Sequence, residues 1–198
     1  EDDEATQLVA KAVAGLPRMR TVYVVTGGFS RFHALFPALC DAGLDLEGTP
    51  PLPACVLPQL FLGSVSSARD RRVFDMLHIT HVVNLATELP NFFEGEATYH
   101  KEALVDDDSQ DIRAVLDPVL GFMRDALKDP AAKLLVHCHQ GKSRSSALVM
   151  AYLLAEARSN PASTLPATVD DALAYVRSCR PYARPNAGFM EQLRAAFP

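Results

Sequence analysis

Cys138 and Arg144 stand with five residues between them, in the run Cys-His-Gln-Gly-Lys-Ser-Arg. The apolar stretch "KLLVH", 133–137, leads into this run and "SSALVMAYLLA" leads out of it. A loop that ends a core strand and feeds a helix N-terminus is a preferred anion site, because backbone N–H groups converge there and the helix dipole adds partial positive charge. The same field stabilises a thiolate, the nucleophilic form of cysteine. Gly141 permits a left-handed or closely approached backbone. Arg144 offers a planar fork that can hold two phosphate oxygens at once. Ser145 can donate its hydroxyl to the cysteine sulfur. Together these groups fit phosphoryl transfer through a cysteinyl-phosphate, with Cys138 as nucleophile and residues 139–144 as the cradle. The spacing by itself is a weak signal, since a structural cysteine near an arginine is common. Six residues after Cys40, Cys55 and Cys179 come Leu46, Phe61 and Pro185, so only Cys138 carries the arginine, and only it lies between a core strand and a helix.

A departing alkoxide or phenoxide needs a proton, and a positioned carboxylic acid that supplies it is worth about 10²–10⁴ in rate. The candidates lie in "VDDDSQDI": Asp106, Asp107, Asp108 and Asp111. Asp111, just ahead of the next helical stripe, suits an N-cap. The three adjacent carboxylates repel one another, which favours keeping one of them protonated. The residues alone leave open which of them faces the loop.

These groups must be held by a framework, and the pattern supplies one. "CVLPQLFLG" reads as one or two short strands and 67–78 as a helix. Strands are expected at 80–86 and 98–105. The apolar stripe of 112–128 is helical, with a break near Asp117 because Pro118 falls inside it. A buried strand at 133–137 is followed by helices at 145–157, 168–180 and 186–197. Strands alternating with helices indicate a layered α/β domain. Ahead of this, 5–14 reads as a short helix, "TVYVVTGGF" as a strand and 30–40 as a helix. The Pro- and Gly-rich 41–54 reads as a linker.

The chain has 198 residues, 48% of them hydrophobic and 22% charged, enough for one good-sized domain and a fragment. A net charge of −5 argues against nucleic acid as a partner. The longest apolar run, Ala147 to Ala155, is far short of the roughly 18 residues a membrane span needs. Four cysteines without a CxxC pair suit a reducing compartment, cytoplasm or nucleus. No metal-ligand spacing appears among the six histidines, and neither a metal nor a cofactor is expected. The acidic start without a methionine fits a piece of a longer protein. Oligomeric state has no signature here.

"VHCHQGKSRSS" resembles the signature loop of the protein tyrosine phosphatase superfamily, in its dual-specificity branch. "LPQLFLGSVSSARD" is similar to that family's opening strand and helix, "ITHVVNLATELPNFF" to its next strand and turn, and "CRPYARPNAGFMEQL" to its closing motif, with Arg180, Pro181, Pro185, Asn186, Gly188 and Phe189 matching. The resemblance covers roughly 52–198. It implies a central, mostly parallel mixed sheet flanked by helices, the cysteine-phosphatase fold. It also implies hydrolysis of phosphotyrosine and phosphoserine/threonine in phosphoproteins, a mitogen-activated protein kinase among them. The implied roles are Cys138 as nucleophile, Asp106 as general acid with Asp107 as runner-up, and Ser145 as the aid to thiolate departure. His139, Gln140, Gly141, Lys142, Ser143 and Arg144 would bind the phosphoryl group. His137 would brace the loop, and Asn84 is either a second brace or a plain strand-end residue. "VYVVTGGFSRFHALFPALC" resembles the end of a rhodanese-like domain, which divides the chain into a remnant at 1–47 and a catalytic domain at 48–198.

Three features depart from that pattern. Lys142 replaces an aliphatic residue and, with His139, makes the rim basic, as in the lipid-phosphatase branch. Gln140 replaces a small residue. The loop 157–168 is longer than the family's turn. The rival readings are therefore a phosphoinositide phosphatase and a phospho-binding pseudophosphatase. A rhodanese or arsenate reductase is disfavoured by "RPYARPNAGF" and by the aspartate loop.

Overall fold

The computed structural model describes residues 52–160 and 162–198. The helix–strand–helix expected within 5–40 and the proposed 1–47 unit lie outside them. Five strands form one sheet: β1 (Ala54–Leu57), β2 (Leu60–Gly63), β3 (His81–Asn84), β4 (Thr98–Lys101) and β5 (Leu134–His137). Their spatial order is β1-β2-β5-β3-β4, with β1 antiparallel to β2 and every other pair parallel. This is the mostly parallel mixed sheet that the family resemblance implies.

The central strand β5 is buried on both faces, as a strand covered by helices on each side must be. Alternation sorts its neighbours into two layers. Leu60, Leu62, Val83, Leu134 and Val136 face the larger core. Phe61, Val82 and Leu135 face a smaller one with Ala68, Phe74 and Ile79. The smaller layer is closed by α1 (Val65–Arg69) and α2 (Arg71–Leu77). Here the sequence reading needs correction: 67–78 is not one helix. Asp70 takes an extended conformation (ψ 112°), and its carboxylate accepts the Arg72 N–H, so one residue ends α1 and caps α2.

The larger layer holds α3 (Arg113–Leu127), α4 (Arg144–Ser159), α5 (Val169–Cys179) and α6 (Ala187–Ala196), with α4 at its centre against α3, α5, α6, β2 and β5. Residues 144–155 of α4 are all buried, which is why "RSSALVMAYLLA" shows no polar stripe. The expected break near Asp117 is absent, and α3 runs unbroken through Pro118. Pro118 and Ala114, whose carbonyl loses its usual donor, both lie on the exposed face, where water can supply the missing bond. No helix among the described residues is long and apolar enough to cross a membrane.

Candidate active site

Three parallel strands end side by side at Gly63, Asn84 and His137, in register. The chain leaves β5 at Cys138, turns through 139–143 and enters α4 at Arg144. Four successive carbonyls of this turn are bound from its outer side. His139 O accepts the Val65 N–H (2.9 Å) and Lys142 O the Arg184 N–H (2.7 Å). Arg180 donates to Gly141 O (2.7 Å) and to Gln140 O (3.0 Å). In a trans peptide the N–H points opposite to the carbonyl it is joined to. The amides of Gln140, Gly141, Lys142 and Ser143 are therefore turned to the concave side. This is the physical content of the cradle: the anion site is made by occupying every carbonyl elsewhere.

Gly141 sits at φ +66°, and a Cβ there would lie 2.3 Å from Gly63 O and 2.7 Å from Arg180 Nη2. Conformation and space both exclude a side chain. Ser143 Oγ accepts the Asn186 N–H (3.1 Å), tying the turn to the start of α6. Cys138 lies at the floor, 1% exposed, with its sulfur 3.2 Å from Ser145 Oγ. It also packs within the larger core, while its neighbours His139, Gln140 and Arg144 line the adjoining cavity.

Arg144 is 5% exposed, and its guanidinium is in electrostatic contact with Cys138. Nη1 and Nη2 donate to the two carboxylate oxygens of Glu88, each at 2.9 Å, and Nη1 also donates to Leu104 O (3.0 Å). A guanidinium has five N–H groups, and these three bonds consume its far end. The edge formed by Nε–H and the second Nη2–H remains. Nε is buried without a hydrogen-bond partner and lies 4.0 Å from Asp106 Oδ2. Two parallel donors on one edge match two oxygens of a phosphoryl group. Glu88 thus fixes the fork and leaves its binding edge presented. The guanidinium in turn holds the Glu88 carboxyl below its ordinary range.

Of the aspartate run, Asp106 reaches the site. It borders a cavity of about 210 Å³ together with Glu88, His139, Gln140 and Arg144. Its Oδ1 accepts the Asn186 side-chain amide at 3.0 Å. Asp107 lines neither this cavity nor the larger one beside it. Its carboxylate accepts both the N–H and the hydroxyl of Ser109, and the Ser109 hydroxyl holds it below the ordinary carboxylate range, opposite to what mutual repulsion alone would give. Asp108 lies against α6, where Gly188 allows the approach: a Cβ at Gly188 would fall 1.9 Å from Asp108 O. Asp111 is not the N-cap of α3, which is Ile112; it stands one residue earlier, where its carboxylate accepts the Arg113 N–H, and the Arg113 pair lowers it to about 2.

Asn84 spends its side chain on the turn after β3 and not on the cysteine loop. Its amide donates to Leu89 O, Pro90 O and Asn91 Oδ1, and its carbonyl accepts the Ala86 N–H. That turn carries Glu88, so Asn84 reaches the site only through it. His137 is fully buried, with Nδ1 near Cys138 O and Nε2 unpartnered, and burial lowers it to about 4. The imidazole at the base of the loop is therefore neutral at pH 7.

Glu88 was absent from the sequence expectation, and no spacing rule joins it to an arginine 56 residues later. The available signal was energetic: a guanidinium sunk beside a core strand requires a counter-charge. The role of Arg180 as clamp on the loop carbonyls was likewise not foreseen, although its motif was.

Residues 60–197 match the family model of the dual specificity phosphatase catalytic domain. The chain is 28% identical over 217 residues to human dual specificity protein phosphatase 4, covering 97% of this chain and 53% of that protein. It is 30% identical over 216 residues to human dual specificity protein phosphatase 1, covering 96% and 56%. The chain thus spans about half the length of the curated relatives it matches. Among solved structures, human DUSP28 superposes with a TM-score of 0.66 at 30% identity, over 75% of this chain and 95% of that one. The human tyrosine phosphatase-like serine/threonine/tyrosine-interacting protein does so with a TM-score of 0.63 at 30% identity, over 74% and 95%. Sheet order, cysteine turn and matched span agree, and the chain belongs to the dual-specificity phosphatase family of the protein tyrosine phosphatase superfamily.

Proposed function

We propose that this chain hydrolyses phosphotyrosine and phosphoserine/threonine in phosphoproteins through a cysteinyl-phosphate. The Cys138 thiolate attacks phosphorus, the S–P bond forms, and the P–O bond to the substrate side chain breaks. The amides of the 139–144 turn and the free edge of Arg144 hold the equatorial oxygens, where charge develops. Asp106 gives its proton to the departing oxygen. Water then attacks phosphorus and returns a proton to Asp106. The S–P bond breaks, and the Ser145 hydroxyl donates to the leaving thiolate.

The observation that carries this reading is the turn itself: four carbonyls bound from outside, a thiol at the floor and an arginine edge beside it. Fold alone would not carry it, since one similar structure is named only phosphatase-like. The finer part of the proposal is a mitogen-activated protein kinase as substrate, a catalytic domain at 48–198 after a rhodanese-like remnant at 1–47, and residence in cytoplasm or nucleus. It rests on the resemblance of 22–40 and on the scattered cysteines.

Cys138→Ser is expected to abolish hydrolysis of a generic aryl phosphate, and wild-type turnover in that variant would refute the mechanism. Asp106→Asn is expected to slow phosphoserine peptides at least tenfold more than an aryl phosphate with a good leaving group. Equal slowing would move the proton donor elsewhere.

A further inference from the structure

The catalytic cavity is not the only concave surface on this side of the molecule. A groove of about 670 Å³ adjoins it, sharing Asp106 and Gln140 as wall residues, and runs between the cysteine turn, α5 and α6. Four cations line it: Lys142, Arg177, Arg184 and Arg194. They are not equally engaged. Arg194 is paired with Asp170 (2.9 Å), and Arg177 donates from Nε to Ala183 O (3.0 Å). The side chains of Lys142 and Arg184 make no ion pair or hydrogen bond among the described residues, although their backbones are joined by the Arg184 N–H to Lys142 O bond (2.7 Å). The acidic wall is already committed: Asp106 to the Asn186 amide, and Asp108 to the Gly188 N–H (3.4 Å). Leu173 and Met190 add apolar surface. The chain as a whole carries −5, so a positive strip beside its phosphate site is a local reversal of sign.

We infer that this groove binds an acidic stretch of the substrate protein next to the phosphorylated residue, with Lys142 and Arg184 meeting its carboxylates. The inference rests on the phosphatase reading and names the substrate class for it. An open strip with cations spread along it suits several carboxylates on an extended peptide. A single small anion would instead call for donors converging on one point, which is what the cysteine turn provides.

The test uses the 198-residue chain and two phosphotyrosine peptides that differ only in flanks, one with glutamates and one with glutamines. A small aryl phosphate, too short to enter the groove, serves as reference. The acidic peptide is expected to be preferred by roughly fivefold in kcat/KM at low salt, and the preference should shrink as salt rises. Arg184→Glu, which keeps the main-chain N–H that reaches Lys142 O, should remove or invert that preference, read as the ratio of the two peptide rates so that any change in the aryl phosphate reference cancels. Equal rates for the two peptides in the unmodified chain would overturn the inference, as would a preference untouched by Arg184→Glu. A vesicle carrying a polyphosphoinositide, hydrolysed faster than either peptide in an Arg184-dependent way, would also overturn it by giving the groove to a lipid headgroup. Peptide affinities measured on Cys138→Ser keep the two readings apart. If the aryl phosphate is not turned over, the phosphatase reading fails, while the binding preference still decides the groove.

Discussion

The two loops that meet at the site are built on opposite plans. The cysteine turn is over-determined: Cys138, Gly141, Ser143 and Arg144 are buried, and each carbonyl from 139 to 142 is claimed by a donor from outside the turn. The aspartate loop is exposed, and much of its bonding is internal, such as Asp107 to Ser109. It is fastened to the closing motif through a few side-chain bonds, between Asn186 and Asp106, Gly188 and Asp108, and Gln192 and both Gln110 and Ile112. The difference matches the work that the proposed mechanism asks of each. Binding a dianion requires dipoles fixed in advance, because reorienting them during reaction would cost the stabilisation they provide. Delivering a proton requires one atom near the leaving oxygen, and a lightly tethered carboxylate can do that.

The sharpest way to break this comparison is at Gly141. Gly141→Ala must put a side chain at φ +66° against Gly63 O, so loss of turnover and a stability loss of about 1–3 kcal/mol are expected. Aryl phosphate kinetics and urea unfolding check it. Next comes Glu88→Ala, which frees the far end of Arg144. A roughly 30-fold loss in kcat/KM is expected, with inorganic phosphate inhibiting correspondingly less. Glu88→Gln, which keeps one acceptor, should recover part of the loss; recovery would separate positioning of the fork from mere structural damage.

On the aspartate side the effects should be smaller and selective. Asn186→Ala releases Asp106 and should slow poor leaving groups by about tenfold, with good ones little changed. Asp107→Asn should change neither by more than about twofold.

His137 links the buried loop to pH. Its folded value, about 4, lies below the ordinary 6.5, so the unfolded chain takes up a proton first as pH falls. Stability is therefore present above about 6.5 and drains away as pH drops towards 4, by about 2 kcal/mol between pH 7 and pH 5. Urea midpoints at the two pH values, compared with His137→Asn, isolate this share; an identical pH dependence in the variant would contradict it.

How much of this was legible in the sequence follows from where the constraints reside. Cys138, Gly141, Arg144 and Ser145 were readable because their relations are local, set by one turn between a strand and a helix. The layered α/β order was readable from apolar periodicity. The break of 67–78 at Asp70 was missed because an aspartate both ends one helix and caps the next without any glycine or proline to mark it. The unbroken α3 was missed because a proline's cost depends on whether its orphaned carbonyl faces water. Glu88, and the clamp by Arg180, could not be read from spacing at all, since they are created by the sheet order that sets the ends of β2, β5 and β3 together.

The central claim is that the sulfur of Cys138 carries the phosphoryl group between substrate and water. Ser145→Ala should slow its release, so acid quenching of that variant during turnover of an aryl phosphate should leave one phosphoryl group on the peptide containing Cys138, identified by mass spectrometry. A phosphoryl group on another residue, or turnover with none on Cys138, would contradict the account.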